Sequence, residues 1–124
     1  MLSIIRKDQW FNVPEKRPWG NYKILHKESG IQVKRIEVKP GHRFSLQKHL
    51  RRAEKWIVLS GQGIVTLGKK KISVREGTFI DVPKREIHRM RNTGRKPLVF
   101  IEVQFGNYLG EDDIVRLDDD FGRC

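Results

Sequence analysis

The sequence predicts an all-β fold, a small sandwich or barrel. Short apolar runs recur at roughly ten-residue intervals between turn signals, the pattern of many short strands joined by tight turns. No segment of helical length carries a 3.6-residue apolar period. Several of the runs alternate in steps of two, as strands with two different faces must.

The elements follow in order. Tyr22–His26 ends at the Ser29-Gly30 turn, and Ile31–Val38 runs to Lys39-Pro40-Gly41. Arg43–Lys48 is followed by a short turn and then Glu54–Ser60, which stops at Gly61-Gln62-Gly63. Gly63–Leu67 and Lys71–Arg75 flank Gly68-Lys69-Lys70 as a hairpin, and Glu76-Gly77 opens Thr78–Val82. Pro83 has no N–H for a ladder and ends that run. Ile87–Arg91 closes at Asn92-Thr93-Gly94, leaving Leu98–Gln104 and Ile114–Leu117. Gly, Pro, Asn and Ser supply the backbone freedom or fixed angles that such turns need. Residues 1–16 are expected to form an N-terminal arm or an added strand, and residues 17–124 the barrel domain.

Strand parity then sorts the polar side chains. In Ile31–Val38, Lys34 shares a face with Ile36 and Val38, opposite Val33, Arg35 and Glu37. Near the end of the chain, Val99, Ile101, Val103 and Phe105 share one face, and Phe100, Glu102 and Gln104 the other. A strand covered on both sides that carries a carboxylate and an amide on one of them points to a polar lumen.

Two glycine-bounded frames carry the chemistry. The first reads Gly41, five residues, Gln47, one residue, His49, four residues, Glu54, six residues, Gly61; the second reads Gly77, five residues, Pro83, four residues, His88, three residues, Asn92. Gln47 and His49 leave one strand on the same side, Glu54 begins the next, and His88 comes from a third. Together they offer an amide oxygen, two imidazoles and a carboxylate. That set suits a divalent ion such as zinc, manganese, cobalt, iron or nickel, with zinc preferred, and suits soft copper(I) poorly.

The two frames resemble the two motifs of the cupin fold, a double-stranded β-helix or jelly-roll barrel. The surrounding text is more specific: Arg-Pro-Trp-Gly at 17–20 followed by Tyr22, Val-Lys-Arg-Ile at 33–36, Lys-Pro-Gly at 39–41, Ser-Leu-Gln at 45–47, and Arg-Ala-Glu at 52–54 with Trp56. Val-Thr-Leu-Gly at 65–68, Ile-Glu-Val-Gln at 101–104, Tyr-Leu-Gly-Glu-Asp-Asp-Ile-Val-Arg at 108–116 and Phe-Gly-Arg at 121–123 follow. In order, these are similar to the C-terminal domain of the type II mannose-6-phosphate isomerase family, whose longer members join it to a mannose-1-phosphate guanylyltransferase. The likeness spans roughly residues 17 to 123. Three places differ from the family pattern: Arg85 stands where cupins usually have Gly two residues after the proline, and Lys55 and Leu50 stand where this family often has His.

The resemblance implies a metal-dependent aldose–ketose isomerase acting on mannose 6-phosphate, with Gln47, His49, Glu54 and His88 as ligands and with Arg116 and Arg123 at the active site. Such a reaction needs a base near a carbon-bound proton. Among lumen residues Glu102 is preferred, then Lys34, with Arg116 beside them. A phosphate is best held by the planar fork of arginine, which assigns Arg17, Arg123 and the amide of Gln104 to substrate binding. His26 and His42 lie outside the frames and are read as surface residues, Trp19 and Trp56 as packing residues, and Asp112 and Asp113 as turn caps or catalytic groups. The run Asp118–Asp120 is read as a solvated face.

Composition narrows the rest. At 124 residues the chain is read as one domain, with no room for a nucleotidyltransferase. Its one cysteine, Cys124, excludes an intrachain disulfide and a cysteine zinc site and suits a reducing cytoplasm. Met-Leu-Ser-Ile-Ile is followed, not preceded, by positive charge and is too short for a signal peptide. No window is long enough to span a membrane. Lys and Arg number 26 against 15 acidic residues, a formal charge of +11, yet they are scattered and not interleaved with aromatic platforms. A charged solvated surface is therefore favoured, and nucleic acid ranks last among partners. A phosphosugar substrate and a homodimer that buries an edge strand are expected. The competing functions are a non-catalytic sugar- or sugar-nucleotide-binding cupin, and an oxygenase or another sugar-phosphate isomerase on the same barrel.

Overall fold

The computed structural model describes residues 13–123; residues 1–12, most of the expected N-terminal arm, and Cys124 lie outside the described residues. Eleven strands follow one another with no helix among the described residues: β1 (Glu15–Arg17), β2 (Gly20–Glu28), β3 (Ile31–Val38), β4 (Leu46–Lys48), β5 (Arg52–Ser60), β6 (Gln62–Leu67), β7 (Lys70–Arg75), β8 (Phe79–Val82), β9 (His88–Asn92), β10 (Leu98–Gly106) and β11 (Val115–Asp118). They form two antiparallel sheets, ordered β1-β2-β3-β10-β5-β8 and β11-β4-β9-β6-β7. This is the expected jelly roll. Every run expected to be a strand overlaps one. The Arg43–Lys48 run shortens to Leu46–Lys48, because Arg43 makes only an isolated bridge to Arg91. β1 is an addition that crosses the expected domain start, pairing Glu15–Arg17 with Gly20–Tyr22.

The inward faces of β3, β10 and β5 stack in register. Ile36, Phe100 and Val58 form one row, Lys34, Glu102 and Trp56 the next, and Gln32, Gln104 and Glu54 the third. One end of the barrel is thus apolar and the other polar, in steps of two residues along each strand. The apolar end is closed by Val38, Val58, Val65, Met90, Leu98 and Phe100, all fully buried. Aromatic rings line the transition: Trp56 lies 5.0 Å from Phe100 and 6.1 Å from Phe44, and Phe44 lies 5.5 Å from Trp19. Trp56 is a packing residue as expected, whereas Trp19 packs and also borders the polar cavity.

The outer face of β10 departs from the expectation of a strand covered on both sides. Val99 is buried, but Ile101 and Val103 are half-covered and Phe105 is exposed. Beside them Ile57, Leu59 and Phe79 are also exposed.

Local ties hold the ligand-bearing segments. β4 meets β9 through one residue pair, Gln47 with His88. Asn92, which ends the second frame, is fully buried; its Nδ2 donates to the carbonyls of Val38 (2.9 Å) and Lys96 (2.8 Å), and its Oδ1 accepts from the Gly94 amide (2.8 Å). A charged, solvated surface is not what surrounds every basic residue. Arg89 is buried, with Nε on the Phe44 carbonyl at 2.9 Å and Nη2 on Asp118 at 2.9 Å, and Arg52 and Lys34 are buried too. Nor is Asp118–Asp120 a free solvated run, since each carboxylate meets an arginine: Asp118 meets Arg89, Asp119 meets Arg123 and Asp120 meets Arg43.

Arg85 has φ of 71°, the one non-glycine residue with positive φ among the described residues. The turn before His88 keeps the left-handed conformation that glycine usually supplies and imposes it on an arginine. Glu86 N donates to Pro83 O at 3.1 Å, and Arg85 N donates to His49 O at 2.8 Å, so the turn is also bonded to the first frame. A side chain with Cβ pays about 1–2 kcal/mol in this region, against roughly 0.5–1 kcal/mol of extra chain entropy lost by glycine. Arg85→Gly is therefore expected to stabilise the protein by about 0.5–1 kcal/mol, measured as a higher urea midpoint at unchanged m-value.

Candidate metal centre

His49, Glu54 and His88 stand on three neighbouring stretches of the barrel, at the end of β4, within β5 and at the start of β9. All three are buried, and their nearest donor atoms lie within 4.8 Å of one another. The imidazole rings are 5.0 Å apart. Each ring is fixed from behind: His49 Nδ1 faces the Asp113 carbonyl at 2.6 Å and His88 Nδ1 faces the Glu86 carbonyl at 2.9 Å. A carbonyl only accepts, so both Nδ1 atoms carry the hydrogen and both Nε2 atoms present a lone pair. Those Nε2 atoms point at Glu54, His49 at 3.4 Å from Oε2 and His88 at 3.9 Å from Oε1. His88 Nε2 is buried and has no hydrogen-bond partner. Burial costs each imidazolium its hydration and lowers both pKa values to about 4, with Arg52 and the other histidine adding to the effect at His49. Two neutral imidazoles and a carboxylate, converging with one lone pair unclaimed, are a group able to hold a divalent ion.

Gln47 borders the same space with a different orientation from that of a ligand. Its Oε1 accepts from Ser45 Oγ at 2.6 Å, and its Nε2 stands 3.5 Å from His49 Nε2. The expected ligand role of Gln47 would require its amide to rotate, since Nε2 and not Oε1 faces the cluster.

Glu54 is held on both oxygens. Trp56 Nε1 donates to Oε1 at 3.0 Å and Arg52 Nε to Oε2 at 2.8 Å. Arg52 Nη2 also lies 3.3 Å from His49 Nε2, and Arg52 Nη1 is buried without a partner. Beyond Glu54, Glu102 accepts from Gln104 Nε2 at 2.8 Å, and Gln104 in turn accepts from Gln32 at 3.0 Å. No lysine or arginine nitrogen among the described residues lies within 4 Å of the Glu102 carboxylate. Burial, then the charge of Glu54, pushes the Glu102 pKa up to about 8.

A cavity of about 80 Å³ opens from this cluster, bordered by Gln47, His49, Arg52 and Glu102 on one side and by Arg17, Lys34, Glu111, Arg116 and Arg123 on the other. Lys34 is not a free amine: Nζ donates to Glu111 Oε2 at 2.5 Å and sits 4.1 Å from the Tyr22 ring. Against the cost of desolvation, the Lys34 ammonium holds the Glu111 carboxyl below the usual carboxylate range. Arg116 Nε is buried without a partner. Arg123 is bound twice to Asp119, whose carboxyl it draws down to about 2. Arg17 reaches the Tyr22 hydroxyl at 3.3 Å. Of the residues read from the sequence as site residues, Arg17, Lys34, Gln47, His49, Glu102, Arg116 and Arg123 line this space, whereas Glu54, His88 and Gln104 do not; Gln104 connects to it through its bond to Glu102.

Two contributors, Arg52 and Glu111, were not read from the sequence as site residues. Arg52 was legible: it stands two residues before Glu54 on the same strand face, in the alternation that placed Glu102 and Gln104. Glu111 and Asp113 lie in a loop, where no periodicity assigns direction. Asp113 resolves as the turn cap, its carboxylate accepting from the amides of Leu50 (2.9 Å) and Arg51 (3.0 Å). His26 is exposed beside Glu28, and His42 stacks on Phe121 away from the cluster.

An eleven-stranded jelly roll with a His-Glu-His group at its polar end is a cupin. A solved structure of the Schizosaccharomyces pombe Cnp3 cupin domain superposes with a TM-score of 0.71 at 14% identity, over 76% of this chain and 68% of that one. Residues 6–119 match the family described as mannose-6-phosphate isomerase C-terminal, and the chain belongs to that family. It is 50% identical over 107 residues to the xanthan biosynthesis protein XanB of Xanthomonas campestris pv. campestris, covering 86% of this chain and 23% of that protein. It is 44% identical over 108 residues to a mannose-1-phosphate guanylyltransferase of Klebsiella pneumoniae, covering 87% and 23%. The chain thus spans less than a quarter of the length of these curated relatives.

Glu102 gives the site a pH signature. An unfolded glutamate loses its proton near 4.5, whereas folded, metal-free Glu102 keeps it to about 8. Between those values the folded state binds the extra proton, so this group's contribution to stability is present below about 4.5 and is lost as pH rises towards 8. Glu102→Gln, which keeps an oxygen for Gln104 to donate to, removes the loss. In chelator-treated protein, the melting temperature of the variant relative to wild type is expected to climb by several degrees from pH 5 to pH 8; a constant offset would show that Glu102 is already ionised.

Proposed function

We propose that this domain is a metal-dependent mannose-6-phosphate isomerase, interconverting mannose 6-phosphate and fructose 6-phosphate. The observation that carries the reading is the meeting, around one cavity of a chain from this family, of the His49–Glu54–His88 group, the buried Glu102 and the cations of Arg17, Lys34, Arg116 and Arg123. Gln47, with its amide turned, is the fourth ligand, and zinc is the preferred ion. When bound, the ion supplies Lewis acidity to the two sugar oxygens between which the carbonyl moves.

The rest falls to side chains. Glu102, as its carboxylate, takes the proton from one carbon and returns it to the adjacent one. Gln104 fixes the orientation of that carboxyl, and Lys34, held by Glu111, places a positive charge where negative charge develops on oxygen. Arg116, with an unclaimed Nε, acts beside them. The cavity is smaller than the roughly 300–1,000 Å³ of pockets that engulf a small organic ligand. The ring-opened sugar therefore enters by its carbonyl end, and its phosphate stays at the mouth with Arg17 and Arg123. The same small volume favours, as a second reading, a cupin that binds a sugar without turning it over.

Zinc-loaded protein in a coupled assay for fructose 6-phosphate is expected to turn over mannose 6-phosphate, to lose activity to a chelator and to regain it on adding metal. Glu102→Gln should lower kcat by about 10²–10⁴ while still holding zinc. Metal-loaded protein that binds the sugar but exchanges no hydrogen at its second carbon would overturn the isomerase and leave the binding reading.

The exposed apolar face of the six-stranded sheet supports a homodimer. Ile57 is paired across the sheet with Phe79 on one side and Ile101 on the other, so the patch is continuous, and contiguous apolar surface of this kind marks an interface. Light scattering at micromolar concentration is expected to give twice the chain mass, and Ile57→Glu with Phe79→Glu to give one; a wild-type monomer would remove the dimer.

A further inference from the structure

We infer that Arg52 is a ligand-binding residue of this site, the donor that seats an anionic pair of oxygens, such as an α-hydroxycarboxylate or an enediolate, beside the ion. The inference rests on the metal-centre reading above and deepens it. Arg52 is buried, lies on the same strand face as Glu54, and borders the cavity. Its nitrogens divide the work. Nε is committed to Glu54 Oε2 at 2.8 Å, Nη2 leans on His49 Nε2 at 3.3 Å, and Nη1 has no acceptor although it is buried.

An ion on His49 Nε2 claims the lone pair that Nη2 uses. Both terminal nitrogens of a buried guanidinium are then without acceptors, and a buried donor is seldom left so. The cavity they border is the place from which an acceptor can come. A guanidinium presents those two N–H groups in one plane, which matches two oxygens on adjacent atoms or on one carbon better than a single hydroxyl does. Arg52 meets the Glu54 carboxylate through Nε alone, and Nη1 makes no bond to it. Arg116, whose buried Nε has no partner, adds positive charge to the same space, where Lys34 is paired with Glu111. The ligand class that remains is a small anion with vicinal or geminal oxygens.

The test uses full-length protein loaded with cobalt(II), whose visible bands report both metal uptake and ligand binding, with glycolate as the probe. Wild type is expected to take up one cobalt and to shift its bands on titration with glycolate, and an equal concentration of ethylene glycol should leave them unmoved. Arg52→Met should hold cobalt but need at least tenfold more glycolate; Arg52→Lys, which keeps the charge without the fork, should need about fivefold more. If Arg52→Met takes up no cobalt, the lysine variant alone decides. Glycolate binding at the wild-type concentration in either cobalt-holding variant would overturn the inference and leave Arg52 as a support for Glu54. A wild type that takes up no cobalt would overturn the metal centre and this inference together. An Arg52-dependent glycolate shift in a protein without isomerase activity would uphold the anion seat and sink only the reaction.

Discussion

A carboxylate, Glu54, sits at 1% exposure in the wall of a small barrel, and the site is arranged around keeping it there. A buried charge is tolerated only when each of its oxygens is bonded and an opposite charge is close. Trp56 and Arg52 meet both conditions from the same strand and the same inward face, two residues either side of Glu54. Trp56 can do so because its ring is gripped by Phe44 and Phe100, so the apolar core fixes the direction of one hydrogen bond and that bond fixes the carboxylate. Arg52 can do so because it is itself buried and bonded, and it brings a second charge into the space that the histidines share. Packing, electrostatics and candidate chemistry are thus one chain of dependence.

That dependence explains which features could be read from sequence. Alternation along Ile31–Val38 and Leu98–Gln104 correctly sent Lys34, Glu102 and Gln104 inward, since parity is set by the backbone pleat and needs no partner. The same rule sends Arg52 inward with Glu54 and Trp56, although an arginine in a basic chain reads as surface. The outer face of β10 was expected to be covered because its residues are apolar, but composition reports what a face can tolerate and not what lies against it. Asp118–Asp120 looked like a solvated run for a similar reason: its arginine partners, Arg89, Arg43 and Arg123, are brought to it by the fold.

The segment after β10 was the least legible part of the site. Glu111, Ile114, Arg116 and Arg123 reach the cavity from loops and from a four-residue strand, whose directions are fixed by individual bonds such as Asp113 to the Leu50 and Arg51 amides. No short-range pattern encodes those bonds. The family resemblance placed Arg116 and Arg123 where alternation could not, and it did so by matching text without a physical account of their position. Arg85 is the reverse case: the sequence showed the missing glycine, and only the structure shows that the turn retains its left-handed geometry regardless.

The single pairing of Gln47 with His88 between β4 and β9 has a consequence for quality control in folding. Side chains reverse direction at every step along a strand, so sliding β9 by one residue would exchange an imidazole for the guanidinium of Arg89 or the preceding Ile87 at the same spot. Neither can share an ion with Glu54 and His49. Capture of a cation by all three groups is thus possible for one register of β9 against β4 only, and an ion, once taken up, would act as a lock that favours the correctly threaded barrel over its nearest misthreaded neighbours.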